Sequence, residues 1–226
     1  MTSFRQLVSQ SKIEELISGD VLLVESKYSF IDRIIKFFGR SEFTHTAMLI
    51  DIKGSWFVVE SRPRHQQYEY QMMPADWWVE RNKDKDTYIG KMPNKKTDSI
   101  NAKRELESKI KASVLNPKWS VRPYSLIWCA IVVFLQKCRG VVRPTFKKYD
   151  EEAKQPMICS TLIQEAWENA GVIDKGSYKS PGDIAELSRG VKSLTPLMID
   201  APFSNSNDDY MPDNYKVSSL SLMKVS

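Results

Sequence analysis

Cysteine is scarce in this chain: Cys129, Cys138 and Cys159 are the only three in 226 residues, and no two form a CxxC pair. An odd count without paired spacing argues against a disulfide scaffold or a zinc site and suits a reducing compartment. Histidine is scarcer still, with His45 and His65 alone, so any imidazole chemistry has two candidates. Long hydrophobic runs are missing. The most apolar stretch, Tyr124 to Leu135, is 12 residues long, short of the ~20 that a membrane-spanning helix needs. It reads as a buried helix, with insertion into a membrane surface as the alternative. Residues 1–17 are polar and amphipathic and do not resemble a secretory signal. The expectation is synthesis in the cytoplasm, with delivery to a target-cell periplasm as the route to any outer substrate. No internal repeat, long low-complexity tract or recognised nucleic-acid motif is present, so nucleic acid is not an expected partner.

What is present is an ordinary globular composition, 42% hydrophobic and 27% charged, which argues against disorder over the whole chain. The length suits one well-buried domain over residues 1–226. The expected elaborations are a basic helical insertion at about 91–150 and a variable tail after 190. Net charge is +5 but uneven: residues 81–148 hold 17 Lys/Arg against 5 Asp/Glu. A solvated basic face is the plain explanation, and a surface for phosphate or lipid headgroups the sharper one.

Periodicity orders the chain as follows. Residues 3–17 read as a helix, Ser18-Gly19-Asp20 as a turn, and Val21 to Val24 as a short buried strand. Tyr28 to Phe38 has helical spacing, closed by Gly39. Phe43 to Ile50 and Ser55 to Glu60 read as a hairpin around Asp51 to Gly54. With that loop Ile50 faces Ser55 and His45 faces Glu60, so an imidazole and a carboxylate stand on one side of the sheet. Residues 61–86 look irregular, a loop or cover rich in aromatics, followed by a strand at Thr87 to Ile89. Asn101 to Leu115 is an amphipathic helix. After the basic stretch comes a helix over Met157 to Gly171, with apolar Ile158, Leu162, Ile163, Ala166, Trp167 and Ala170 and a capping Gly171. Ser180-Pro181-Gly182-Asp183 caps a short helix at Ile184 to Ser188, and Pro196 to Ile199 is strand-like.

Cys159 falls in the first turn of its helix, where unpaired N–H groups and the helix dipole favour an anion. One reading makes it a buried small hydrophobe; the other makes it a nucleophile. Cysteine hydrolysis requires a thiolate, an imidazole to hold and pass the proton, and a polar group to orient that imidazole. Cys159, His45 and Glu60 supply those types, whereas His65 sits in a polar loop with no element to position it. The aromatics Tyr28, Trp56, Trp77, Trp78 and Tyr124 either line a cleft or pack the core.

The segments Gly19-Asp20-Val21-Leu22-Leu23, Phe43-Thr44-His45-Thr46-Ala47-Met48 and Val59-Glu60-Ser61 resemble the first half of a circularly permuted NlpC/P60 protein. Ile158-Cys159-Ser160-Thr161-Leu162-Ile163 and Ser180-Pro181-Gly182-Asp183-Ile184 resemble the second half, of the YiiX-like kind. The resemblance implies an α+β papain-like fold, a small, mainly antiparallel sheet packed against the helix that carries the cysteine. It also implies Cys159 as nucleophile, His45 as base and Glu60 as the orienting residue. Tyr124 matches a tyrosine near the family's cleft, where its hydroxyl would help hold an oxyanion beside the Cys159 N–H. The implied activity is thiol-dependent hydrolysis of an amide bond, most naturally in bacterial cell-wall peptides, by an injected toxin or a phage product. No metal or cofactor is required. In such a role a membrane surface, a secretion carrier or an immunity protein would be the partners. Two alternatives remain open: a lipid acyltransferase or thioesterase on the same fold, and an inactive binding module.

Overall fold

The computed structural model describes residues 4–10, 16–26, 33, 36–37, 41–62, 70–93, 99–116, 159–176 and 179–194. Its centre is one sheet built from β1 Val21–Glu25, β2 His45–Ile52, β3 Ser55–Ser61, β4 Tyr70–Pro74, β5 Asp86–Lys91 and β6 Arg189–Ser193. The strands lie in the order β4-β3-β2-β1-β5-β6, and every neighbouring pair is antiparallel. The helices among the described residues are α1 Phe4–Gln10, α2 Ala75–Arg81, α3 Ile100–Val114, α4 Cys159–Asn169 and α5 Pro181–Leu187. The architecture is therefore α+β.

Side chains alternate across a strand, so each strand feeds two faces. Val21, Leu23, Met48, Ile50 and Val59 face Ile110 and Val114 of α3, Leu162, Ala166 and Trp167 of α4, and Ile184 of α5. Leu22, Val24, Ala47, Leu49, Val58 and Met73 face Phe4 of α1 and Ala75, Trp78 and Val79 of α2. Because both faces are covered, the central strands read as unbroken apolar runs rather than as alternating ones.

The helix ends follow their sequence signals. At α4, Gly171 takes φ 73° while its N–H donates to Glu168 O at 3.1 Å and the Val172 N–H donates to Trp167 O at 2.8 Å. This double bond is the Schellman arrangement, which satisfies the last carbonyls of a helix. At α5, Ser180 and Asp183 form a reciprocal capping box with Pro181 behind it. At α3 the Ser99 side chain accepts from the Ala102 N–H at 3.1 Å.

Several expectations change. The hairpin turn is two residues, Lys53 and Gly54, with φ 51° and 80°, the both-positive pattern of a type I′ turn. Asp51 and Ile52 thus join β2, and Ala47, not His45, stands opposite Glu60. The register moves by two, which preserves the face. The stretch expected to be a loop at 61–86 contains β4 and α2 instead. There Pro74 starts the helix and burial of Trp78 and Val79 against the sheet holds it. β6 runs Arg189–Ser193 with all five residues exposed, so it carries no apolar pattern to announce it. The N-terminal helix does not continue to Ile17, which lies outside any helix and donates its N–H to Asp20 at 3.0 Å. Helix α3 lies within the expected basic insertion, yet its Ile110 and Val114 belong to the main core. Of the expected helix at Tyr28 to Phe38 only residues 33, 36 and 37 are described, as helical. The stretches 117–158 and 195–226 lie outside the described residues, and with them the apolar run at Tyr124 and the strand-like Pro196 to Ile199.

The turn before β1 is fixed by Gly19, with φ 109°. Its N–H donates to Leu49 O at 2.9 Å and its carbonyl accepts from Trp167 Nε1 at 3.0 Å. A Cβ there would lie 2.7 Å from Met92 Sδ. Gly19→Ala is expected to cost about 1–3 kcal/mol, since alanine is strained at that backbone angle even if Met92 gives way. A urea titration should show a lower midpoint at an unchanged slope; an unaltered midpoint would contradict it.

Candidate functional site

Three elements bring their ends together at one end of the sheet. Cys159 opens α4 and is buried. His45 opens β2, with 13% of its side chain exposed, and Glu60, next to last in β3, is fully buried. The shift in hairpin register turns a directly opposed His–Glu pair into a diagonal one on the same face, still within reach for long side chains. His45 Nε2 lies 2.9 Å from Glu60 Oε2. With Nε2 so engaged, Nδ1 is the ring nitrogen left for the hydrogen bond between the imidazole and the Cys159 thiol. The structure therefore brings Cys159, His45 and Glu60 together, with the imidazole bonded to the carboxylate and acting on the thiol.

Glu60 holds the centre of a larger polar cluster that the sequence did not disclose. Trp78 Nε1 donates to its Oε2 at 2.7 Å, and Arg81 Nη2 to its Oε1 at 2.6 Å. Arg62 Nε donates at 3.1 Å and stands 3.3 Å from His45 Nε2. Arg62 is steered in turn by Asn82, whose Oδ1 accepts from Nη2 at 2.7 Å. Trp78 is thus both a core residue and a donor to the orienting carboxylate. A signal existed in part, because Arg62 lies two residues beyond Glu60 and so shares its face. Nothing in the sequence placed Trp78, Arg81 or Asn82 nearby. Trp56 and Trp77 are half-buried, with Trp56 packed against the cluster that contains Trp78. Tyr28, His65 and Tyr124 lie outside the described residues, as do Cys129 and Cys138.

The electrostatics favour a charged pair. Burial alone would raise the Glu60 carboxyl, but Arg62, His45 and Arg81 outweigh it and hold the group far below the ordinary carboxylate range. Burial and Arg62 push the His45 imidazole down, while hydrogen bonds with Cys159 and Glu60 raise it, and the net shift is upward. Burial pushes the Cys159 thiol up, yet the His45 hydrogen bond and charge, with the Thr46 backbone N–H, bring it below its ordinary value. The Thr46 hydroxyl acts in the same direction, though it falls short of a formed hydrogen bond, so the backbone N–H is the firmer contact. An imidazole that holds its proton more tightly beside a thiol that releases one more readily is the electrostatic condition for a thiolate–imidazolium pair. Among the described residues, no group of three or more His, Cys, Asp or Glu is arranged to hold a metal ion. No helix among them is long and apolar enough to cross a membrane.

No family model matches this chain, and no curated protein matches it. Among solved structures, the metalloprotein yiiX from Escherichia coli O157:H7, DUF1105, is similar at 12% identity and a TM-score of 0.42. The match covers 78% of this chain and 95% of that one. At that distance the likeness bears on neither chemistry nor metal content.

Two outcomes follow from the site's charges. Iodoacetamide labelling of Cys159 should rise with pH through a midpoint below the ordinary thiol value of 9.0, ahead of Cys129 and Cys138 in tryptic mass spectra. In Glu60→Gln the midpoint should move up, because the imidazolium loses its counter-charge. Preferential labelling of Cys129 or Cys138 would contradict the first part. The second outcome concerns stability. The folded value of Glu60 lies below its ordinary 4.5, so its contribution is present above pH 4.5 and drains away as pH falls below it. Urea midpoints should decline as pH falls from about 6 to about 3, and less steeply in Glu60→Gln.

Proposed function

We propose that this protein is a thiol-dependent amidase or peptidase in which Cys159, His45 and Glu60 act as nucleophile, acid–base and orienting residue. The observation that carries the reading is the convergence of three separate elements on Cys159, His45 and Glu60, with His45 bonded to Glu60 at 2.9 Å, the thiol shifted down and the imidazole up. The substrate we assign is a bacterial cell-wall peptide. Support for it comes from the segments around Gly19, His45, Glu60, Cys159 and Ser180, which resemble a circularly permuted, papain-like NlpC/P60 protein. Delivery into a target-cell periplasm, as a toxin or phage product, belongs to the same proposal.

The chemistry runs from the pair. The Cys159 thiolate attacks the amide carbonyl carbon, and the carbonyl electrons move onto oxygen. As they return, the C–N bond breaks, and the His45 imidazolium gives its proton to the leaving nitrogen. A thioester and a free amine result. The neutral imidazole then takes a proton from water, the hydroxide attacks the thioester carbon, and the C–S bond breaks to restore thiolate and imidazolium. Throughout, Glu60 accepts from the Nε2 side of the ring and balances its charge. Arg62 and Arg81 keep Glu60 ionised and so fixed in that role.

Purified sacculi provide the test. The wild-type chain should release new amino termini whose masses name the bond, and His45→Ala and Cys159→Ala should each lose at least about a thousandfold in turnover without adding in the double variant. Glu60→Gln should retain measurable activity, since an amide still orients the ring. In a bacterium, the chain fused to an export signal should lyse or round the cells, and exported Cys159→Ala should not. Lysis that persists in Cys159→Ala would indicate membrane damage without chemistry. Toxicity confined to the unexported form would indicate a substrate inside the cell.

A further inference from the structure

The thiol has a second neighbour that the His–Glu chain does not use. Thr46 follows His45 in β2 and points to the opposite face of the sheet, the face covered by α4. Backbone pairing shows where its N–H goes. The Leu49 N–H donates to Asp20 O on the β1 side at 2.8 Å, so by the alternation of an antiparallel ladder the Thr46 N–H points to the β3 side. Pairing between β2 and β3 ends at Ala47↔Glu60, although β2 runs on to His45 and β3 to Ser61. The Thr46 N–H is therefore released from the ladder at the place where α4 begins.

The side chain makes the same point independently. The Thr46 hydroxyl is fully buried and has no hydrogen-bond partner, and neither has the hydroxyl of Ser61, the residue it would oppose if pairing continued. An unpartnered buried hydroxyl lowers stability, and an isosteric valine would avoid that cost.

We propose that Thr46 is a positioning residue whose hydroxyl, unpartnered in the resting structure, turns to the Cys159 sulfur once the thiol ionises and, with the backbone N–H, holds it against His45. The inference rests on the reading of Cys159 as the nucleophile and adds to the imidazole a further donor for the sulfur. Among the described residues, the charged groups that act on the thiol and its partner are His45 and, around the ring, Glu60, Arg62 and Arg81, and substitution at Thr46 replaces none of them.

The experiment compares Cys159 alkylation by iodoacetamide across pH in wild type, Thr46→Val and Thr46→Ser, with thermal melts of each. In Thr46→Val the midpoint should rise, so that labelling at a pH below it slows roughly three- to tenfold, the effect of losing one weak donor to a charged acceptor. Thr46→Ser should return the midpoint toward wild type, and the melting temperature of Thr46→Val should not fall. If valine packs badly, Thr46→Ser against Thr46→Ala isolates the hydroxyl by the same readout. A midpoint that is equal in Thr46→Val and wild type, or in Thr46→Ala and Thr46→Ser, would overturn the role of Thr46 and leave Cys159 as nucleophile. A wild-type midpoint at the ordinary thiol value would overturn both.

Discussion

The buried carboxylate of Glu60 constrains everything around it. Taking a carboxylate out of water costs several kcal/mol even after the protein relaxes, and Glu60 is fully buried. The charge is tolerable only because His45, Arg62, Trp78 and Arg81 all donate to it. Those donors come from β2, from the residue just past β3, and from α2, so one carboxylate ties three segments to a common point. It reaches further through Arg81, whose second nitrogen donates to Gln71 at 3.0 Å. Gln71 sits directly opposite Glu60 on β4. The edge strand, the short helix and the hairpin are thus set by the same requirement that orients the imidazole.

That requirement explains which parts of the fold were legible in the sequence. Helices α3, α4 and α5 carried their own signals, in the stripe of Ile110 and Val114, in Gly171, and in the Ser180–Asp183 box, and all three stand where those residues indicate. β1 and β5 were legible for the same reason. The hairpin register was not, because Lys53-Gly54 makes a two-residue turn without the asparagine or aspartate that usually announces one. Helix α2 is seven residues, about two turns, too short for a period to emerge, and its stability is tertiary. β6 is an exposed edge strand with no apolar alternation to read. In the candidate site, Cys159, His45 and Glu60 were legible as residue types on identifiable elements. Arg62, Trp78, Arg81 and Asn82 were not, because their roles exist only once a buried charge demands partners.

The position of the site within the sheet follows from topology. His45 and Glu60 lie on the face shared with Trp78, and α4 covers the other face. A thiol at the start of α4 can meet an imidazole from the opposite face only at the end of a strand, where the side chain is not walled in by the next pair. His45 is the first residue of β2, and the pairing of β2 with β3 has already stopped there. Had the hairpin paired fully to its ends, the ladder would have closed the opening through which ring and sulfur approach. The early end of pairing is thus a structural condition for the contact.

Charge arithmetic shows what favours a charged pair against a burial that opposes both of its members. Glu60 brings one negative charge, and Arg62 and Arg81 bring two positive ones, so the cluster behind the ring carries a surplus of one. That surplus acts against an imidazolium, which is why Arg62 lowers the histidine. Proton transfer from Cys159 to His45 adds no net charge. It places the new positive charge between two negative groups, Glu60 on one side and the thiolate on the other. At a few ångströms and an effective dielectric near 20, each such contact is worth about 4 kcal/mol before desolvation is subtracted. Those two attractions stand against the repulsion from Arg62 and the loss of water, and the balance leaves the imidazole up and the thiol down. Neither residue would hold its charge alone in this environment. The charged state belongs to the pair, and the carboxylate that Arg62 and Arg81 keep ionised offsets its burial.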